Sequence, residues 1–287
     1  MNPIGVVICN YNKKDFVLQC VQSVLESKEK NFDIYVVDNA SSDGSAEALK
    51  KAYGNRITVI ENKENLGGSG GFNTGLRIVR DKGYSYFMCL DDDAAVDENA
   101  LSVLYHYMEE HTDTGMAGCR VYHTQMPDYI QQSGLLIDFD NCTAKTIGAD
   151  MPEDGSLPDV IECDTVATCA VMVRADTVKQ KGVGIMPEDN FIYWDDMEWG
   201  YRIKLAGYRV VTLAEAKALH QMGANTKKEN TFINYYMWRN RTNFFMRFTP
   251  EAQMEAMSVK VLGAVFDAMY ESMFREEHNV CLLYTSD

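Results

Sequence analysis

The run Tyr86-Phe87-Met88-Cys89-Leu90 passes without a break into Asp91-Asp92-Asp93. A short apolar stretch of this kind reads as a strand buried in a sheet, with the aspartates emerging at its carboxyl end. In open α/β sheets ligands bind at that end. Three adjacent carboxylates repel one another and lose hydration when packed together, and a bound cation is the usual remedy. Alternate residues of an extended chain point the same way, so Asp91 and Asp93 can grip one ion while Asp92 faces elsewhere. The competing reading is a solvated acidic turn, and the strand-end position favours the metal.

Upstream of that strand the pattern alternates between strand and helix. Strand-like Val6-Val7-Ile8-Cys9 leads into a polar turn, Asn10 to Lys14, and then a helical face of Val17, Leu18, Val21, Val24 and Leu25. Ile34-Tyr35-Val36-Val37 ends in Asp38-Asn39-Ala40-Ser41-Ser42-Asp43-Gly44, a loop of turn formers. A helix through Ala46 to Tyr53, a strand at Ile57 to Ile60 and a glycine-rich stretch from Asn65 to Gly75 that opens a further helix complete the series. This rhythm predicts an α/β fold with a doubly wound, mostly parallel sheet. Prolines and glycines between Met126 and Asp159 interrupt it and read as an irregular excursion or hairpin over the sheet. A helix over 196–206, a strand over 208–213 and an amphipathic helix from Ala252 to Phe274 follow. The expected organisation is a main domain over residues 1–248, a C-terminal helix over 249–280 and a tail, 281–287, that reads as a truncation scar.

A net charge of −15 argues against nucleic acid as a partner, since that requires a basic surface. The eight cysteines contain no CxxC pair, which favours free thiols in a reducing cytoplasm over zinc ligation. No apolar run reaches the ~18 residues of a membrane span. The expected location is the cytosol, with peripheral contact on the inner face of the membrane as a variant.

The glycine stretch Asn65-Leu66-Gly67-Gly68-Ser69-Gly70-Gly71-Phe72-Asn73-Thr74-Gly75 fails two nucleotide motifs. Asn73 stands where a dinucleotide fingerprint needs its third glycine, and Leu76-Arg77 replaces the Lys-Ser/Thr of a P-loop. What remains is backbone that must come close to a ligand or a neighbouring strand, or a tight turn before a helix. Asp38 also ends a buried strand, where it can accept hydrogen bonds from a base or ribose or serve as a local turn acceptor. In Phe191-Ile192-Tyr193-Trp194-Asp195-Asp196-Met197-Glu198-Trp199, two carboxylates open a helix among aromatics. Such walls exclude water and raise a carboxylate's pKa, which suits a general base, while the helix dipole alone would also favour acids there. His220, after the small and apolar stretch Val210 to Leu219, is either structural or the nitrogen member of an Asp91/Asp93 shell for Mn²⁺ or Mg²⁺.

Taken in order, Ile8-Cys9-Asn10-Tyr11-Asn12, Val37 to Gly44, Asp91-Asp92-Asp93, Trp194-Asp195-Asp196-Met197-Glu198 and the distal His220 resemble a family-2 glycosyltransferase with the GT-A fold. The resemblance spans roughly Pro3 to Phe248. Within the family, the Asn65 to Phe72 loop with Trp-Asp-Asp is most similar to galactofuranosyltransferases that use UDP-galactofuranose. The rhamnosyltransferases that use dTDP-rhamnose are the next most similar. The resemblance implies that Asp91, Asp93 and His220 hold a divalent metal, Mn²⁺ or Mg²⁺, on the donor diphosphate. It implies Asp38 on the uracil or ribose, with Asp92, Asn65, Gly67 and Gly68 on the donor. Asp196 would be the catalytic base and Asp195 would orient the acceptor sugar. Tyr235-Tyr236-Met237-Trp238-Arg239-Asn240 matches a family segment expected near the site. The implied partners are a nucleotide-sugar donor, a UDP-sugar, and a glycan or glycolipid acceptor, with a homo-oligomer also envisaged. A non-catalytic sugar-nucleotide or glycan-binding module on the same fold is the alternative, and it would be signalled by a broken base or metal set.

Overall fold

The computed structural model describes residues 3–221 and 231–274; the tail 281–287 lies outside them. The first half runs β1 (Ile4–Asn10), α1 (Lys14–Glu26), β2 (Phe32–Asp38), α2 (Ser45–Tyr53), β3 (Thr58–Glu61), α3 (Gly67–Lys82) and β4 (Tyr86–Asp91). It continues through β5 (Ala94–Val96), α4 (Ala100–Glu110), β6 (Thr114–His123), β7 (Met126–Gln132), β8 (Leu135–Asp138), β9 (Thr143–Thr146), β10 (Met151–Pro152), β11 (Val160–Glu162) and β12 (Ala170–Arg174). Then come α5 (Asp195–Leu205), β13 (Arg209–His220), α6 (Thr231–Phe248) and α7 (Met254–Phe274).

The central sheet is mixed α/β in the expected sense, with β3, β2, β1 and β4 adjacent and all parallel. The chain leaves β1 toward β2 and β3, then crosses back to β4 on the other side, so a topological switch point opens between β1 and β4. Asn10 and Asp91 stand at the carboxyl ends of those two strands, where a crevice must form. Beyond β4 the sheet turns antiparallel through β12, and β6 then pairs in parallel with β13. One face is covered by α1, α2 and α4 packing on Val6, Ile8, Val36 and Met88. The opposite face is covered by α3 and α5, whose Leu76, Val79 and Trp199 meet Val7, Val37 and Phe87.

Three elements depart from the sequence reading. The Met126–Asp159 excursion is more regular than its prolines suggest, because β7 pairs with β6 and extends the sheet, while β8 and β9 form a separate hairpin. The strand expected over 208–213 continues to His220, crossing an irregularity between Leu213 and Lys217. The glycine stretch lies mostly inside α3 rather than in a loop. Glycine weakens a helix by roughly 0.5–1 kcal/mol relative to alanine, so its presence needs a packing reason. That reason is β1: a methyl group on Gly75 would overlap Val7 Cγ1, and one on Gly71 would overlap Cys9 Sγ.

A third apolar cluster joins the β8–β9 hairpin to the C-terminal helices. Phe244 and Phe245 of α6 meet Met257 and Val261 of α7, Cys142 of the hairpin, and Trp194 and Met197 at the start of α5. The opposite side of α7 leaves Val259, Leu262 and Phe266 more than half exposed. Among the described residues no helix is long and apolar enough to cross a membrane.

Close approach of α3 to β1 makes a testable demand. Gly75→Ala should destabilise the protein by about 1–3 kcal/mol, the usual cost of forcing an extra carbon into a packed interior. Urea unfolding measures this, and a neutral result would show that α3 can lift from β1 freely.

Candidate active site

A cavity of about 710 Å³ opens at the switch point. Its walls include Cys9 of β1 with Tyr11 and Lys13 just after it, Asn39 after β2, Gly67 and Gly68 of α3, and Asp91 at the end of β4 with Asp92 after it. The opposite wall carries Tyr193, Trp194, Asp195 and Asp196, with Met237 and Arg241 of α6. Acidic groups from two distant parts of the sequence thus face one space.

Asp91 is the last residue of β4, while Asp92 and Asp93 form a turn before β5. That turn, rather than alternation along an extended strand, brings Asp91 and Asp93 to one side. β5 pairs antiparallel with the end of β13, opposing Ala94 to His220. Ligand atoms of Asp91, Asp93 and His220 consequently lie within 4.8 Å of one another. His220 Nε2 is 3.1 Å from Asp93 Oδ1 and 3.7 Å from Asp91 Oδ2. The other ring nitrogen, Nδ1, is 2.7 Å from Gln131 Oε1. An amide oxygen can only accept, so Nδ1 carries the proton and, in the neutral ring, Nε2 turns a lone pair toward the aspartates. Asp93 Oδ1 is buried without a hydrogen-bond partner. A lone pair facing an unpartnered carboxylate oxygen is a donor set that fits a divalent cation, and the nitrogen and two carboxylates suit Mn²⁺ or Mg²⁺.

Lys13, which the sequence reading passed over, is the site's own cation. Its ammonium lies 2.6 Å from Asp93 Oδ2 and 3.1 Å from Asp92 Oδ1. Burial would lower the lysine's pKa, but the two carboxylates outweigh it and hold the group charged. Asp92 also accepts from the Tyr11 amide at 3.0 Å, which ties it to the turn after β1. Burial pushes Asp92 up to about 6 against the pull of Lys13. Burial raises Asp91 as well, while His220 in its imidazolium form and Lys13 override burial at Asp93 and hold it low.

The residues expected on the donor side divide. Gly67 and Gly68 line the cavity, as does Asn65. Asn65 Oδ1 accepts from the Gly67 amide and from Asn39 Nδ2, both at 2.9 Å. Asn39 is itself a hub, because its Oδ1 takes Asn62 Nδ2 and the Leu66 amide. Asp38 is turned inward: its oxygens accept from Asn10 Nδ2 at 2.8 Å and the Ser41 amide at 3.0 Å, and it does not line the cavity. Lys13 and Asn39 were legible as turn residues after β1 and β2; what they would touch was not.

Asp195 and Asp196 are the first two residues of α5, where the helix dipole favours carboxylates. Asp195 accepts from Ser69 Oγ at 2.9 Å, which ties the acidic pair to the glycine segment of α3. Asp196 accepts from the Met197 amide at 2.7 Å. Burial raises the Asp195 carboxyl, and burial together with Asp195 and Asp91 pushes Asp196 up to about 7. The residues leading into the pair are conformationally costly. Phe191, Tyr193 and Trp194 have φ of 63°, 66° and 63°, a region that costs non-glycine residues roughly 1–3 kcal/mol each. Behind the helix, buried Glu198 is neutralised by Arg202 and by two bonds from Arg247 of α6.

Residues 5–166, more than half of the chain, match the model of glycosyl transferase family 2. A teichoic acid poly(glycerol phosphate) polymerase of Staphylococcus epidermidis is 27% identical over 146 residues, which take in 49% of this chain and 19% of that protein. An Escherichia coli UDP-Glc:alpha-D-GlcNAc-diphosphoundecaprenol beta-1,3-glucosyltransferase, WfaP, is 30% identical over 109 residues, 38% of this chain and 42% of that one. The matched stretches therefore span less than half of either relative. Among solved structures, Staphylococcus aureus TarS 1-349 aligns with a TM-score of 0.62 at 13% identity, over 96% of this chain and 75% of that chain. GalNAc-T7 with UDP, GalNAc and Mn²⁺ aligns at 0.67 and 14% identity, over 86% and 48%. At such identities these structures speak for a GT-A-like fold alone. On the family match, this chain belongs to glycosyl transferase family 2.

Proposed function

We propose that this chain is an inverting, metal-dependent glycosyltransferase that moves a sugar from a UDP-sugar, UDP-galactofuranose, to a hydroxyl of a cell-envelope glycan or lipid-linked acceptor. The observation that carries the reading is the facing of two acidic sets across one cavity. Asp91, which lines the cavity, belongs to the Asp91, Asp93 and His220 cluster, and Asp195 and Asp196 line the same cavity from the start of α5. Solved relatives in fold lend it support, since TarS has been captured with UDP-GlcNAc and a Pyrobaculum calidifontis mannosyltransferase with GDP-Man and Mn²⁺. The galactofuranose donor rests on the likeness of the Asn65–Phe72 segment alone.

In this reading Asp91, Asp93 and His220 hold the cation, and Gln131 fixes the histidine tautomer that leaves Nε2 free. A bound divalent ion supplies charge neutralisation for the departing diphosphate, so no protein acid is needed there. The same need explains how a chain of net charge −15 takes an anionic donor. Lys13 adds a fixed positive charge on the donor side, and Asp92 faces the sugar-nucleotide. Asn65, Gly67 and Gly68 lie along the donor, and Asp38 shapes the nucleoside end by orienting Asn10 and Ser41. Asp196 takes the proton from the acceptor hydroxyl as that oxygen attacks the anomeric carbon, on the face opposite the leaving UDP. The product is inverted, through an oxocarbenium-like transition state. Asp195, held by Ser69, orients the acceptor. Residues 1–248 carry this chemistry, while the outward Val259, Leu262 and Phe266 of α7 support peripheral membrane contact or self-association.

UDP binding should require Mn²⁺ or Mg²⁺ and vanish with EDTA or in Asp91→Asn/Asp93→Asn, as read by calorimetry; binding indifferent to chelation would count against the metal site. Asp196→Ala should lower turnover by roughly 10²–10⁴-fold, the usual worth of a positioned base, while UDP affinity stays within a few-fold. A base works only as the carboxylate. Turnover of the native protein should therefore be lost as pH falls through about 7, and level off above it. Asp195→Asn removes a neighbouring negative charge and should move that midpoint downward, whatever its effect on the rate. A donor panel of UDP-galactofuranose, UDP-galactopyranose, UDP-glucose and dTDP-rhamnose, scored by metal-dependent nucleotide release, should favour the first; preference for dTDP-rhamnose would overturn the donor assignment.

A further inference from the structure

The costly backbone before Asp195 has an identifiable holder. Asn240 of α6 is fully buried, and its Nδ2 lies 2.8 Å from each of the carbonyl oxygens of Asn190, Ile192 and Tyr193. With two N–H donors, one of them shared, this amide group serves three carbonyls within residues 190–193, in the loop where Phe191, Tyr193 and Trp194 have positive φ. The amide is itself fixed from behind, because Arg239 Nε donates to Asn240 Oδ1 at 2.8 Å. Arg239 Nη2 also donates to the Asp189 carbonyl at 2.5 Å and the Asn190 carbonyl at 3.0 Å. Tyr236, one turn earlier, stacks on Phe191 with ring centroids 5.1 Å apart, and the Arg239 guanidinium lies 4.7 Å above the Tyr236 ring.

The loop held in this way connects two parts of the cavity. The Phe191 carbonyl accepts from the Ser69 amide at 3.2 Å and lies so close to Gly67 that no side chain would fit there. Ser69 Oγ in turn holds Asp195. Four residues on from Phe191, the same loop becomes the first turn of α5 with Asp195 and Asp196. Carbonyls that turn inward at positive φ cannot pair with backbone N–H groups as they would in a helix or strand, and buried carbonyls without donors are costly. Without Asn240 and Arg239 the loop has reason to relax to ordinary φ, and both the glycine segment and the acidic pair would shift with it.

We propose that Arg239 and Asn240 are positioning residues: they hold the strained 190–194 loop so that the base, Asp196, and the donor-side glycine segment keep a fixed relative placement. Neither residue touches the reacting atoms. The inference rests on the glycosyltransferase reading for its effect on rate and on the hydrogen bonds alone for its effect on the loop.

The test uses the full chain with Asn240→Ala and Arg239→Lys, the second keeping the charge over Tyr236 while losing the planar fork. Hydrogen exchange followed by mass spectrometry should show faster exchange at amides of residues 189–196 in Asn240→Ala, with β1, β2 and β4 unchanged. Donor hydrolysis and transfer should lose at least 50-fold in kcat with donor KM within about threefold, and Arg239→Lys should fall between Asn240→Ala and the native protein. Unchanged exchange over 189–196 overturns the proposal whether or not the protein turns over donor. Equal kcat in native protein and both variants also overturns it, as does a loss carried by KM alone. Global loosening of Asn240→Ala would mark a merely structural role if Arg239→Lys then left exchange and kcat native-like. A native protein inert to every donor, yet showing the local exchange change in the variant, would sink the glycosyltransferase reading and leave the loop assignment standing.

Discussion

Repulsion among buried carboxylates is the constraint around which the rest of this molecule is arranged. Asp91, Asp92, Asp195 and Asp196 line one cavity with Asp93 beside them, and burial and mutual charge raise the pKa of Asp91 and Asp196. Each carboxylate is managed differently. Asp93 is held ionised by His220 and Lys13, Asp92 is turned to the Tyr11 amide, and Asp195 is held by Ser69. Asp196 is the least compensated, receiving only the adjacent Met197 amide, and so it sits poised near neutrality. Burial and neighbouring charge thus set one kind of side chain to different states around one site.

Much of this was legible in the sequence because strand ends advertise themselves. An apolar run that stops at an aspartate, as at Val37-Asp38 and Leu90-Asp91, marks both a buried strand and its ligand-facing end. The failures of the Asn65–Gly75 stretch as a Rossmann or Walker motif were also sound guides, since those glycines serve helix-to-strand contact at Val7 and Cys9. The period-based reading lost its way where structure depends on distant pairing. Met126–Asp159 looks irregular locally, yet β7 is a strand because β6 lies beside it. Likewise β13 runs past its irregularity to His220 because β5 and β6 both pair with it there.

Side-chain networks were the least legible layer. Lys13, Asn39, Gln131 and Asn240 are ordinary polar residues in the sequence, and only the fold reveals that each satisfies atoms from several segments. Asn240 is the extreme instance, an interior helical position whose polarity would count against burial were it not for three waiting carbonyls. Helix α6, with its polar and aromatic residues on several sides, offered no clear apolar stripe, because it serves the hairpin, α7 and the strained loop at once.

The antiparallel pairing of Ala94 with His220 has a consequence for how the molecule assembles. It joins a turn in the first third of the chain to a strand that follows most of the remaining elements. Closing so long a loop is entropically slow, and contacts of this separation form late in folding. The cluster of Asp91, Asp93 and His220 therefore waits on this long-range pairing, even though two of its members lie close in sequence from the start. If the cluster holds a cation as proposed, its selectivity belongs to the finished sheet, and a nascent or partly unfolded copy of this chain would lack it.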